Sequence, residues 1–138
     1  MDASRLKEIS LFARLSQRER NKLTPRLREV EIPRGDHLVD EGQFGYEFFV
    51  IEEGRAAVVS GSRHVADLGP GDFLGEIALV RRGLRTASVI ATSDIKAVVM
   101  GQDEFQEMTR STPRIAREID AAIEERLERN RMFGVNRE

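Results

Sequence analysis

Residues 68–88 read LGPGDFLGEIALVRRGLRTAS. A strand pattern ends at Leu68, the Gly-Pro-Gly that follows turns the chain, and a short apolar helix is predicted to begin just after Gly75. A helix N-terminus preceded by glycine presents free N–H groups and the positive end of the helix dipole, which attract an anion such as a phosphate. This stretch therefore predicts an anion-binding turn between two strands.

Two charged residues of this stretch complement the predicted turn. Arg85 stands at the start of the returning strand, where its planar guanidinium can hold an anion through two parallel hydrogen bonds. Glu76 would repel a phosphate, so its carboxylate indicates a hydrogen bond with another part of the ligand, such as a sugar hydroxyl. Together the pair indicates a sugar phosphate or a nucleotide.

Upstream of this stretch the apolar residues alternate, as they do in short half-buried strands. The alternation begins at Val30 and Ile32 and continues to Leu68, and glycines recur at near-regular spacing from Gly35 to Gly83. Two further strands are predicted over residues 87–91 and 95–100. Short strands separated by regularly spaced glycines are typical of an all-β barrel or sandwich.

Helices are predicted on both sides of the strands. Residues 1–27 carry an apolar stripe, and Ser16 with Glu19 forms a capping box. Pro25 is expected to kink or end the second helix. Downstream, Thr112 is predicted as the N-cap and Pro113 as the first residue of a last helix that runs to about residue 131. Its apolar stripe comprises Ile115, Ile119, Ala122, Ile123 and Leu127.

Composition excludes several classes of protein. A chain of 138 residues is expected to form one domain, and a net charge of −2 argues against direct binding of nucleic acid. The absence of cysteine excludes disulfides, thiolate nucleophiles and cysteine-bound metals.

The polar N-terminus lacks the apolar core of a signal peptide, and no apolar stretch is long enough to cross a bilayer, so we expect a cytoplasmic chain without membrane insertion. His37 and His64 are isolated, so neither a metal site nor a catalytic site is predicted.

The same residues resemble the cyclic nucleotide-binding domain family, which occurs in kinase regulatory subunits, bacterial catabolite activators and cyclic-nucleotide-gated channels. The family's phosphate-binding cassette has the form F-G-E-x-A-L, a variable loop and R-[TSA]-A. Here it reads FLGEIAL at 73–79 and RTA at 85–87, while EGQFGYEFFVIEEG at 41–54 is similar to a second family pattern. The resemblance covers nearly the whole chain and implies a mainly β fold, a β-roll or jelly-roll barrel with N-terminal helices and a C-terminal lid helix. We divide the single domain 1–138 into N-terminal helices 1–27, a β-roll 28–100 with its cassette at 71–88, and C-terminal helices 101–138.

The resemblance also implies roles for individual residues. Glu76 would bind the ribose 2′-hydroxyl and Arg85 the cyclic phosphate. Amides around Gly75, Ile77 and Ala78 would complete the anion cradle, with Thr86 and Ala87 beside the phosphate and the base. Arg126 is the candidate lid residue that stacks on the purine, and Leu127 and Phe133 are further candidates on the same C-terminal segment. The implied ligand is cAMP, with cGMP as the alternative because Thr86 does not decide the base.

One position departs from the family pattern, and several alternatives stay open. Leu84 stands where the family commonly has proline, in a loop whose Arg81 and Arg82 either face solvent or compete for the phosphate. A nucleotide-free interaction or dimerisation domain is the alternative function, because the stripe of the last helix also suits a homodimer seam. The chain also fits a regulatory part of a larger channel, transporter or enzyme, signalling to a fused or partner effector through the C-terminal helix.

Overall fold

The computed structural model describes residues 3–13, 15–43, 47–74, 87–114, 116–118, 120–121 and 124–125. Three short helices open the chain: α1 (Ala3–Leu6), α2 (Ser10–Ala13) and α3 (Gln17–Leu23), followed by a 3₁₀ turn at Thr24–Arg26. The predicted capping box is confirmed, because the Glu19 N–H donates to Ser16 Oγ at 3.1 Å and the Ser16 N–H donates to Glu19 Oε1 at 2.8 Å. The α-helix ends just before Pro25, as predicted, because proline lacks the N–H that a continuing helix needs.

Among the described residues, eight strands form two antiparallel sheets of four. The strands are β1 (Arg28–Ile32), β2 (His37–Val39), β3 (Glu47–Glu53), β4 (Ala56–Ser60), β5 (Arg63–Leu68), β6 (Phe73–Leu74), β7 (Ser88–Ala91) and β8 (Ile95–Gly101). The first sheet has the order β1-β8-β3-β6 and the second the order β2-β7-β4-β5. The mainly β roll with flanking helices is therefore confirmed, with β7 beginning one residue later than predicted.

Strand β3 is buried on both faces, which explains its unbroken apolar run FFVI. Phe48 and Val50 pack against the N-terminal helices in one core cluster, and Phe49 and Ile51 join the cluster between the two sheets. Successive side chains of a strand point to opposite faces, so β3, together with β6 and β8, forms the wall that the two clusters share. This strand therefore joins the helical layer to the β-roll.

Two turns at one end of the roll approach each other closely. Gly54, at φ +98°, follows β3, and a Cβ on it would lie 2.3 Å from the carbonyl oxygen of Asp94 in the turn between β7 and β8. The neighbouring Arg55 N–H donates to Ser93 Oγ at 2.9 Å, and the Thr92 N–H donates to the Arg55 carbonyl at 2.9 Å. Glycine is required at position 54 because only hydrogen fits between these turns.

The chain returns to helix after β8. Helix α4 (Gln102–Ser111) carries Phe105, which is buried against the ring of Phe48 with a centroid distance of 5.9 Å. Beyond it the described helical residues are 113–114, 116–118, 120–121 and 124–125. The Ala116 N–H donates to the Thr112 carbonyl at 3.1 Å, as expected of a helix that starts at Pro113. The predicted stripe at 115, 119, 122, 123 and 127 lies outside the residues whose side chains are described.

Candidate phosphate-binding cassette

Most of the predicted site lies outside the described residues. This applies to Gly75, Glu76, Ile77, Ala78, Arg85 and Thr86, and to the candidate lid residues Arg126, Leu127 and Phe133. Ala87 is described, and its side chain is fully buried in the cluster between the sheets. The structure therefore defines the two flanks of the cassette, residues up to 74 and from 87.

The N-terminal flank is fixed to β3. In the turn after β5, the Gly69 N–H donates to Asp72 Oδ2 at 2.8 Å and the Asp72 N–H donates to the Gly69 carbonyl at 3.0 Å. Gly71, at φ +88°, donates to the Ile51 carbonyl at 2.8 Å, and the Ile51 N–H donates to the Asp72 carbonyl at 2.9 Å. The predicted Gly-Pro-Gly turn is confirmed, and it places β6 against the strand shared by both cores.

The C-terminal flank is fixed in the other sheet. Ser88 pairs with Val59 of β4, and Val89 pairs with both Val39 and Val58. Because β6 belongs to the first sheet and β7 to the second, the segment between them connects the two sheets. Leu74 and Ala87, which border this segment, are both buried in the same inter-sheet cluster.

A polar contact at this flank was missed in the sequence analysis. The Glu41 N–H donates to Ser88 Oγ at 2.9 Å, and Glu41 Oε1 accepts a hydrogen bond from the Gly61 N–H at 2.8 Å. Glu41 opens the glycine-containing motif EGQFG, and Ser88 directly follows the RTA motif. Their positions beside motifs were the available signal, but their contact depends on strand register.

Ion pairs connect the N-terminal helices to the rest of the fold. The Arg5 guanidinium binds Glu52 through two hydrogen bonds, Nε to Oε2 at 3.1 Å and Nη2 to Oε1 at 2.5 Å, and it also pairs with Glu29. The hydrogen bond to Glu52 is the main cause of a raised Arg5 pKa. Such bidentate arginine–carboxylate pairs fix geometry as well as contributing attraction.

A second set of ion pairs joins the N-terminal helices to the C-terminal helices. Glu19, which caps α3, also pairs with Arg114, and Arg26 lies 3.4 Å from Glu107 on α4. The pKa of Glu19 is lowered, first by the hydrogen bond from the Ser16 N–H and further by the charge of Arg114. The cap of α3 is therefore electrostatically coupled to the helical segment after α4.

The histidines and surface hollows give no indication of a catalytic or metal site in the described part of the chain. His37 pairs with Asp40 at 2.6 Å and His64 with Asp67 at 2.8 Å, both on the surface. No group of three or more histidines, aspartates and glutamates suited to a metal occurs among the described residues. One surface hollow of about 350 Å³, away from the cassette flanks, is lined by Arg5, Glu29, Val30, Glu31, Glu52, Lys96 and Ala97. No helix within the described ranges is long and apolar enough to span a membrane.

Comparison with known proteins points to one family. A sequence model of the family described as "Cyclic nucleotide-binding domain" matches residues 29–112, a range that includes the whole cassette. The cAMP-dependent protein kinase regulatory subunit of Hypocrea atroviridis is 38% identical over 103 residues, which are 75% of this chain. This chain spans 22% of the length of that relative.

Solved structures show the same fold. The N-terminal domain of a transcriptional regulator from Streptomyces coelicolor A3(2) matches with a TM-score of 0.74 and 29% identity, over 94% of this chain and 95% of that one. The regulatory domain of Toxoplasma gondii PKA, crystallised with cAMP, matches with a TM-score of 0.74 and 27% identity, over 89% of this chain and 48% of that one. The chain belongs to the cyclic nucleotide-binding domain family.

Proposed function

We propose that this chain is a cyclic nucleotide sensor that binds cAMP and signals by movement of its C-terminal helix. The observation that carries the proposal is the family match over residues 29–112, which contains Glu76 and Arg85 at the positions of the family's cassette. In this proposal Arg85 binds the cyclic phosphate and Glu76 the ribose 2′-hydroxyl. The amides around Gly75, Ile77 and Ala78 supply further donors to the anion.

The choice of cAMP over cGMP rests on the relatives. The kinase regulatory subunits that match this chain are named for cAMP, and the Toxoplasma gondii domain was crystallised with cAMP. The Arg85 guanidinium and the helix N-terminus act on the phosphate, which both nucleotides share, so they do not discriminate between the bases. Discrimination is assigned to Thr86 beside the base and to Arg126 as the lid, because the side chain of Ala87 is fully buried in the core.

The anchored flanks support a coupling between the cassette and the C-terminal helices. The ring of Phe48 lies 5.8 Å from that of Phe73, two residues before Gly75, and 5.9 Å from that of Phe105 on α4. A displacement of Phe73 can therefore reach α4 through one intervening ring, that of Phe48. A ligand that contacts the cassette and the lid together only in the closed state favours closure by its difference in affinity between the two states.

The proposed output is regulation of another protein, without catalysis by this chain. The regulatory-subunit relatives favour a protein effector, partnered or fused through the C-terminal helices, over direct binding of nucleic acid. A cytoplasmic location fits this role, because the family's ligand is a diffusible intracellular signal. A nucleotide-free interaction domain is the outcome to be distinguished by experiment.

The test is titration calorimetry of the whole chain with cAMP and with cGMP. Arg85→Ala removes a charge-assisted bidentate contact worth about 2 to 4 kcal/mol, which corresponds to roughly 30- to 700-fold weaker binding. Arg82→Ala is the matched control, because it removes the same charge from the same loop, and it should change the Kd less than about twofold.

Three results would contradict parts of the proposal. No saturable binding of either nucleotide would favour the interaction domain. Equal binding by wild type and Arg85→Ala would mean that Arg85 does not bind the phosphate. An equal loss in Arg82→Ala would show that the loop arginines compete for the phosphate.

A further inference from the structure

Two ion pairs to the N-terminal helical segment lie on either side of a break in the C-terminal helices. Thr112 is the one non-helical residue between α4 and the helical residues that follow it. Before this break, Glu107 of α4 lies 3.4 Å from Arg26. After the break, Arg114 pairs with Glu19 of α3. The two sides of the break are therefore held by separate ion pairs.

The two sides differ in what else holds them. Phe105 of α4 is buried in the core cluster that also contains Leu6, Phe12 and Leu23 of the N-terminal helices. Arg114, in the first turn after the break, has a side chain that is 48% exposed. Loss of the ion pairs is therefore expected to release the segment after Thr112 while α4 stays packed.

The carboxylate that binds Arg114 is held in place by the cap of α3. Glu19 Oε1 accepts a hydrogen bond from the Ser16 N–H at 2.8 Å, and the same oxygen accepts one from Arg114 Nη1. Because the capping box fixes this side chain, less conformational entropy is lost when Arg114 binds to it. The cap of α3 thus provides a preorganised docking point for the segment after Thr112.

The charges of the two pairs alternate, and this specifies one docked arrangement. The N-terminal segment presents an anion at Glu19 and a cation at Arg26, which face the cation of Arg114 and the anion of Glu107. An exchange of partners would bring the two arginines together and the two glutamates together. Contacts between like charges disfavour such an arrangement.

We propose that the Glu19–Arg114 and Arg26–Glu107 pairs form an electrostatic latch, which docks the segment after Thr112 against the N-terminal helices and opens as ionic strength rises. Salt screens ion pairs at the surface, whereas it does not weaken the burial of Phe105. The latch belongs to the chain without nucleotide, so the inference goes beyond the proposed function and does not depend on it.

The experiment measures the distance between two spin labels in the whole, nucleotide-free chain by pulsed electron paramagnetic resonance. The chain has no cysteine, so labels attach only at Asn21→Cys in α3 and Ala121→Cys after the break, both exposed and uncharged positions. Raising the salt concentration from about 0.02 M to about 1 M should increase the ratio of undocked to docked molecules about two- to fivefold. Glu19→Gln, which keeps an acceptor for the cap, should give a similar increase at low salt.

Charge reversal tests the pairing itself. Glu107→Arg places a second cation against Arg26 and should increase the undocked ratio at low salt. Combining Glu107→Arg with Arg26→Glu restores opposite charges and should return the ratio to within about twofold of wild type. Arg117→Gln is the matched control for Arg114→Gln, because Arg117 is exposed and makes no ion pair within the described ranges. Only Arg114→Gln should increase the ratio.

Three results would overturn the latch: a wild-type ratio that does not change with salt, equal increases in Arg114→Gln and Arg117→Gln, or a double reversal that does not restore docking. The thermal midpoint of each variant shows whether α3 and the β-roll stay folded. The salt titration of wild type needs no substitution in the latch, so it tests the proposal even where a variant fails to fold.

Discussion

Replacing Gly54 with alanine is expected to destabilise the fold far more than the same change at Gly42. Both glycines have positive φ, +98° at Gly54 and +85° at Gly42, so both substitutions carry the backbone strain of that region, about 1 to 2 kcal/mol. The two positions differ in their surroundings. A Cβ at Gly42 would meet nothing within 4 Å, whereas at Gly54 it would lie 2.3 Å from the Asp94 carbonyl oxygen.

The magnitude follows from what must move. Cβ atoms essentially never approach another heavy atom closer than 3.0 Å, so the turn of Gly54 or that of Asp94 must shift by roughly 0.7 Å. The shift strains the neighbouring hydrogen bonds of Arg55 with Ser93 and Thr92, and each lost bond costs about 1 kcal/mol. Gly54→Ala should therefore lose about 3 to 5 kcal/mol of unfolding free energy and Gly42→Ala about 1 to 2 kcal/mol.

Urea unfolding followed by circular dichroism measures both losses on the same scale. For a chain of this size, the Gly54→Ala loss corresponds to a thermal midpoint lower by roughly 10 to 20 °C. Gly61→Ala, at φ +62° with nothing within 4 Å, provides a second strain-only control. Losses within about 0.5 kcal/mol of each other in all three variants would refute the close approach of the two turns.

Two further stability predictions concern the helices that flank the roll. Phe105→Ala should lower the unfolding free energy by about 3 to 4 kcal/mol in urea titrations, because it removes a buried ring that packs on Phe48, and a loss below about 1 kcal/mol would contradict that packing. Glu19→Gln keeps an acceptor for the Ser16 N–H but loses the charge that faces Arg114. Because the folded pKa of Glu19 is lowered, its charge stabilises the fold above the unfolded pKa. The difference in unfolding free energy between wild type and Glu19→Gln should therefore be largest near neutral pH and fall between about pH 5 and pH 3. A difference that is independent of pH would contradict the ion pair.

The sequence predicted local features well, because they depend on residues close together in the chain. Ser16 and Glu19 stand three residues apart and form the predicted cap, and Pro25 ends its helix through its own missing N–H. The contact of Glu41 with Ser88 joins residues 47 apart and depends on how β2 pairs with β7, so no local pattern indicates it. Gly54 was identifiable as a turn residue, but its close approach to Asp94 depends on how the two turns meet.

The candidate site was predicted from a family motif and not from local physical patterns. Glu76 and Arg85 alone are an acidic helix start and a charged strand end, both of which are common on protein surfaces. Their spacing within a family motif is what indicated a binding role. The match over residues 29–112 confirms the family, and the roles of the individual residues stay predictions. The structure adds the supports on either side, which are not part of the motif.

The order of strands in the first sheet has a consequence for synthesis of the protein. β8 lies between β1 and β3, so the two earlier strands have no ladder between them until the last strand is present. A chain emerging from the ribosome therefore cannot complete this sheet until residue 101 has left the exit tunnel. Until then the edge of β3 that pairs with β8 has no hydrogen-bonded neighbour, and an unpaired strand edge favours aggregation. The cassette is translated before β8, the strand that completes the sheet in which its N-terminal flank, β6, is held.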